Sequence, residues 1–239
     1  MAEVLAPEKK EGLFSKKNQK LLTDPLDDNN PITVQVLGIC SALAVTTLVF
    51  PSIVITIAVI FVCAFSNLFT SLLRKSIPSQ VRMIVQLVIV ATLVTVVELS
   101  LKAINFDVYK QLTVFIGLII TNCIVMGRLE AFAMANTPWK SFLDGVGNGL
   151  GYGLILIVVS VVREVFGKGS LMAGTPIEMK IIGGTSEYWI NTTADGWQSL
   201  LFGWYQNNNL MVLPAAAMFL IGIYIWIQRS RNTKLVDIS

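Results

Sequence analysis

The sequence predicts an all-α integral membrane protein: six transmembrane helices forming two inverted three-helix repeats, with both termini cytoplasmic. Three observations carry that prediction. Only 14% of the residues are charged and 54% are hydrophobic, whereas a soluble domain carries about 25% charged residues. The apolar residues gather into six runs with the charges between them, as expected where charge inside hydrocarbon is costly. Finally, with a cytoplasmic N-terminus, 13 of the 18 Lys and Arg residues fall on the cytoplasmic side, the bias that orients membrane proteins. Setting aside the N-terminal region, eight still oppose five.

Residues 1–31 read as a polar N-terminal tail of mixed charge. They lack the apolar stretch of a signal peptide, and Pro25-Leu26-Asp27-Asp28-Asn29-Asn30-Pro31 reads as a turn-rich approach to the bilayer. The apolar runs follow at 32–49, 51–73, 81–101, 109–127, 143–165 and 208–228. A spanning helix needs about 20 residues. The first and fourth runs are shorter or carry small and polar residues in mid-run, so they are predicted to be short or broken. Between the fifth and sixth lies a periplasmic loop, 166–207, whose Trp189, Trp197 and Trp204 suit the headgroup level. Residues 229–239 read as a cytoplasmic C-terminal tail. The partner expected from this composition is the lipid bilayer, not nucleic acid.

Three spans separate the start of the first run from the start of the fourth, so the repeats 32–107 and 108–228 enter the bilayer from opposite faces. That is the pattern of inverted repeats, whose broken helices place a functional site near the midplane. Ile32-Thr33-Val34 opens one half and Leu112-Thr113-Val114 the other. Each opening leads to glycine and then cysteine, as Gly38 and Cys40 in the first half and Gly117 and Cys123 in the second. Cys40 lies eight residues beyond Ile32 and Cys123 eleven beyond Leu112. At about 1.5 Å per residue these are depths of roughly 12 and 16 Å, both close to the middle of a core about 30 Å thick.

The chain has no histidine, which removes the commonest general base and metal ligand. Three cysteines are an odd number in membrane-embedded positions, unlike a secreted disulfide framework. Cys63, in Phe61-Val62-Cys63-Ala64-Phe65, reads as a small apolar filler. Cys40 and Cys123 leave several readings open. They could be fillers too, and a disulfide between them would be an inert link. A metal centre is the sharper reading, because thiolates select zinc, copper(I) or iron–sulfur clusters. A [2Fe–2S] cluster usually takes four cysteines, so a second, similar subunit would supply the other pair. Ser41, Thr121 and Asn122 beside the cysteines suit hydrogen bonds to sulfur, which tune cluster potential, or ordinary interhelical bonds worth about 0.6 kcal/mol.

Several longer motifs resemble one known family. Asn29 to Thr47, Gly117 to Met134, Val81-Arg82-Met83-Ile84-Val85-Gln86, Asp144 to Gly153, and Arg163-Glu164 followed by Gly167 are similar to segments of the D-subunit family of the bacterial sodium-translocating NADH:quinone oxidoreductase. The resemblance covers most of 29–170 and resumes at about 205–228. The related E subunits of the Rnf ferredoxin:NAD oxidoreductase carry proline after the first cysteine. Here Ser41 follows Cys40, which fits the quinone-reductase branch. The resemblance implies a subunit of a six-subunit translocase of the bacterial inner membrane, working beside a homologous E-type subunit of opposite topology. It further implies that each of the two gives two cysteines, here Cys40 and Cys123, to one shared intramembrane [2Fe–2S] cluster. That cluster passes electrons between flavins of other subunits on the route from NADH to ubiquinone, coupled to Na+ translocation. Cys63 matches no ligand position. The N-terminal tail and the loop at about 170–205 depart from the family pattern. Without the resemblance, the inverted halves alone would equally suggest a secondary transporter, a class that needs neither cysteine.

Two further groups of residues have alternative readings. Gly145-Val146-Gly147-Asn148-Gly149-Leu150-Gly151-Tyr152-Gly153 begins a transmembrane run instead of following a strand, so it reads as a face for close helix approach, not a phosphate loop. Arg82, Glu98, Lys102, Arg128, Glu130, Arg163 and Glu164 flank the runs and read as interfacial, their stems snorkelling toward headgroups. Arg128–Glu130 and Arg163–Glu164 are candidate pairs, and Glu98 and Glu130 are candidate oxygen ligands on a sodium path.

Overall fold

The computed structural model describes residues 22–26, 29–75, 77–78, 80–104, 106–168, 170–171, 179–180 and 213–231. Residues 1–21, most of the predicted loop with its three tryptophans, the start of the sixth run and the tail beyond 231 lie outside the described residues.

The first run is not one helix. A 3-10 turn at Asp24–Leu26 and a series of turns from Asn29 precede the seven-residue α1, Ile39–Val45. Two residues with positive φ hold the chain out of helix before it, Gly38 at 78° and Val36 at 57°, and for β-branched Val36 that conformation is strained. Asn30 pins this approach: its Oδ1 accepts from the Ile32 N–H at 3.0 Å, and its Nδ2 donates to the Gly151 carbonyl at 3.1 Å. At the far end of α1 the Thr46 hydroxyl donates back to the Ala42 carbonyl at 2.6 Å. The long α2, Val49–Leu73, then starts with Pro51 in its first turn, where the missing N–H leaves no intrahelical bond unmade.

The remaining helices are α3 (Arg82–Ile104), α4 (Phe106–Ile120), α5 (Cys123–Arg128), α6 (Pro138–Lys168) and α7 (Pro214–Arg231). The fourth run is broken at Thr121-Asn122, between α4 and α5, and α5 passes directly into a π turn at Leu129–Ala133. Ser170–Leu171 pairs antiparallel with Met179–Lys180. Among the described residues, four segments are long and apolar enough to cross a membrane: Val49–Leu73, Arg82–Ala103, Leu112–Ala133 and Pro138–Gly167.

The central seam is α2 against α6. About 61% of each spanning window is buried within the chain, against 17% for α3, so α3 turns most of its apolar surface outward. The glycine run explains the closeness of the seam. A Cβ on Gly145 would stand 2.8 Å from the Ala64 Cα, and one on Gly149 2.9 Å from the Ile60 Cα. Gly153 abuts Thr56 in the same way. Glycines four residues apart share one helix face, and this one faces α2.

Candidate metal centre

Cys40 and Cys123 meet. Their sulfurs are 3.9 Å apart, both thiols are free, and both open onto the surface of the chain. The helix breaks put them there. Cys40 is the second residue of α1 and Cys123 the first of α5, so each sits on the opening turn of a short helix. Gly38 allows the two turns to touch: a Cβ there would stand 2.6 Å from Ile124 Cδ1 and 3.3 Å from Tyr152 Cε2. On the other side Asn122 caps α5, its Oδ1 accepting from the Ile124 N–H at 3.2 Å. Buried Ile124 and Val125 close the floor beneath the pair.

The spacing excludes a disulfide, whose S–S bond is about 2.05 Å. It suits a shared metal: two sulfurs each about 2.3 Å from a tetrahedral ion stand about 3.8 Å apart. No group of three or more Cys, Asp, Glu or His that could hold a metal occurs among the described residues. The two thiols form a pair on a face left open. Cys63 is fully buried beside Gly145 in the core, away from this pair.

The polar neighbours are arranged differently from the sequence reading. Ser41 does not serve a sulfur: its hydroxyl lies 3.0 Å from the Gly38 carbonyl and 2.7 Å from the hydroxyl of Tyr152, which is wholly buried. Tyr152 was hidden in the glycine run, where it is the one aromatic residue; that oddity was the available signal.

The charged residues also depart from expectation. Arg128 turns to Asp144, binding it through two guanidinium nitrogens, with Nε at 2.9 Å from Oδ2. Residues two apart on a helix point in different directions, and Glu130 instead accepts from Arg82 at 2.7 Å and Gln86 at 3.0 Å. Arg163 and Glu164 are buried inside the chain. They are 1% and 0% exposed, and both reach the junction between α1 and α2. Arg163 Nη1 donates to Thr46 Oγ1 at 2.6 Å and to the Leu43 carbonyl at 3.4 Å, while Nη2 donates to the Leu213 carbonyl at 3.1 Å. Glu164 Oε2 accepts the Val49 N–H at 2.6 Å. Glu98 accepts from the Tyr109 hydroxyl at 2.9 Å.

Comparison with known proteins agrees with this architecture. Residues 18–225 match the family described as Rnf-Nqr subunit, membrane protein. Proteins named as the D subunit of a Na(+)-translocating NADH-quinone reductase are similar over nearly the whole chain. Those of Shewanella halifaxensis and Shewanella woodyi are 52% and 53% identical over 93% of this chain and 97% of their own length. That of Serratia proteamaculans is 52% identical, with 98% of its length covered. The chain belongs to the Rnf-Nqr family of membrane subunits.

Proposed function

We propose that Cys40 and Cys123 provide two of the four thiolates of an intramembrane [2Fe–2S] cluster, completed by two cysteines of a homologous E-type subunit. The chain is then one of six subunits of a sodium-pumping NADH:ubiquinone reductase of the bacterial inner membrane. The observation that carries the reading is the open thiol pair, 3.9 Å apart, at the openings of two interrupted helices. A pair spaced for one metal, with no further Cys, Asp, Glu or His grouped with it among the described residues, suits completion by a partner surface. The names of the relatives supply the class of reaction.

In this reading the bound cluster supplies one-electron transfer between flavins of neighbouring subunits. The chain's residues hold and shield it. Cys40 and Cys123 present their sulfurs from two short helices, Gly38 lets those helices abut, and Ile124 and Val125 anchor the start of α5 in the core. The inverted pairing of the halves at 32–107 and 108–228 accounts for the interruptions: in each half a break precedes a short helix that carries its cysteine in the first turn.

The test is the complex purified with Cys40→Ser. Bound iron, the paramagnetic signal of the reduced cluster and quinone reduction are all expected to be lost; full quinone reduction in that variant would end the proposal. A secondary transporter would be indifferent to the change. The orientation has its own check. A reporter fused at Ser239 should be on the cytoplasmic side, and a periplasmic signal would break the inverted-half reading.

A further inference from the structure

Beside the Cys40 thiol, a buried hydrogen-bonded set of Gly38, Ser41 and Tyr152 holds the opening turn of α1. Ser41 has one hydroxyl proton, and the Gly38 carbonyl, 3.0 Å away, can only accept. With that proton placed there, the bond of 2.7 Å between Ser41 and Tyr152 has Tyr152 as its donor. Gly38 immediately precedes α1 and Ser41 is that helix's third residue, directly after Cys40. Tyr152 comes from another element, α6, and its ring lies close enough to Gly38 that a Cβ there would stand 3.3 Å from Cε2.

We infer that Tyr152 is a positioning residue of the metal centre: its hydroxyl holds Ser41 in the opening turn of α1 and so sets the direction of the neighbouring Cys40 sulfur toward Cys123. The inference rests on the reading of those cysteines as ligands. A tyrosine serving only as core filler would need its ring and not its hydroxyl, which is what a test can separate. Groups that orient metal ligands without touching the metal change affinity by about 10- to 100-fold when removed.

The experiment compares the purified complex carrying Tyr152→Phe, Ser41→Ala or both with the parent and with Cys40→Ser. Phenylalanine keeps the ring packed against Gly38, so Tyr152→Phe removes the bond without opening a cavity. The expected result is normal iron content on preparation, but half-removal of iron at an about 10-fold lower concentration of a competing chelator. The reduced cluster's spectroscopic line shape and midpoint potential should also change. The double variant should go no further than the stronger single one, since both cut the same bond. An unaltered line shape and potential in Tyr152→Phe would overturn the inference, as would full additivity with Ser41→Ala. Should Tyr152→Phe fail to assemble, Ser41→Ala severs the same bond with the ring untouched and is judged by the same readouts. If the parent carries no iron that depends on Cys40, the ligand reading itself falls and this inference with it. If the parent carries such iron and Tyr152→Phe is silent, only the inference falls.

Discussion

The interruption between α1 and α2 and the one before α6 solve the same problem with different chemistry. Each leaves helix-terminal backbone groups without intrahelical partners, and within hydrocarbon every such group must be satisfied by protein. At the first, α6 contributes both ions: Arg163 holds the carbonyl end of α1 and Glu164 the N–H end of α2. A cation at a helix C-terminus and an anion at an N-terminus is also the arrangement the helix dipole favours. At the second, α2 contributes milder groups. The Asn136 carbonyl accepts from Ser71 at 2.7 Å and Arg74 at 2.9 Å; Asn67 adds a bond at 3.2 Å to the Ser141 carbonyl, within the first turn of α6.

Exposure accounts for the difference. Arg163 and Glu164 are fully buried, whereas Arg74 and Asn136 are only half-buried. Where a surface is near, a hydroxyl, an amide and one snorkelling arginine suffice. The buried junction lies at the far end of the helix that carries Cys40.

The largest expected effect comes from breaking the buried junction. Arg163→Met removes the buried guanidinium that donates to the Thr46 hydroxyl and to the Leu43 and Leu213 carbonyls, while the Glu164 carboxylate stays buried. Loss of one member of a buried charge set costs about 3–5 kcal/mol, which should appear as a large fall in the thermal midpoint of the purified complex. Arg74→Met is the smallest. Ser71 still serves Asn136, and a partly exposed guanidinium contributes about 1 kcal/mol or less, so the same measurement should move little. Equal effects at the two sites would mean that burial does not separate the junctions, and the contrast would fail.

Hydropathy along the chain makes the spans readable, and glycine and polar residues in mid-run show where helices break. The broken first and fourth segments correspond to the turns before α1 and to Thr121-Asn122. Counting residues from the run starts also brings Cys40 and Cys123 to similar depth, and the structure has them in contact. The charged residues are harder to read. Arg163 and Glu164 sit near the end of an apolar run, where position along the axis suggests an interface; their partners include the Leu43 carbonyl and the Val49 N–H, more than a hundred residues away in sequence. Arg128 likewise reads as a partner of its sequence neighbour Glu130, although Asp144 on the next helix is the carboxylate within its reach.

Local chemistry therefore settled which segments are helical, where they stop and which side chains carry thiols, because hydrophobic length, φ restriction and capping act over a few residues. Tertiary packing alone decided which groups close each interruption and that Tyr152 meets Ser41 in the opening turn of α1. A buried hydrogen bond depends on which helix faces arrive at the same point, and the glycine seam that brings α6 against α2 sets this only once both helices are in place.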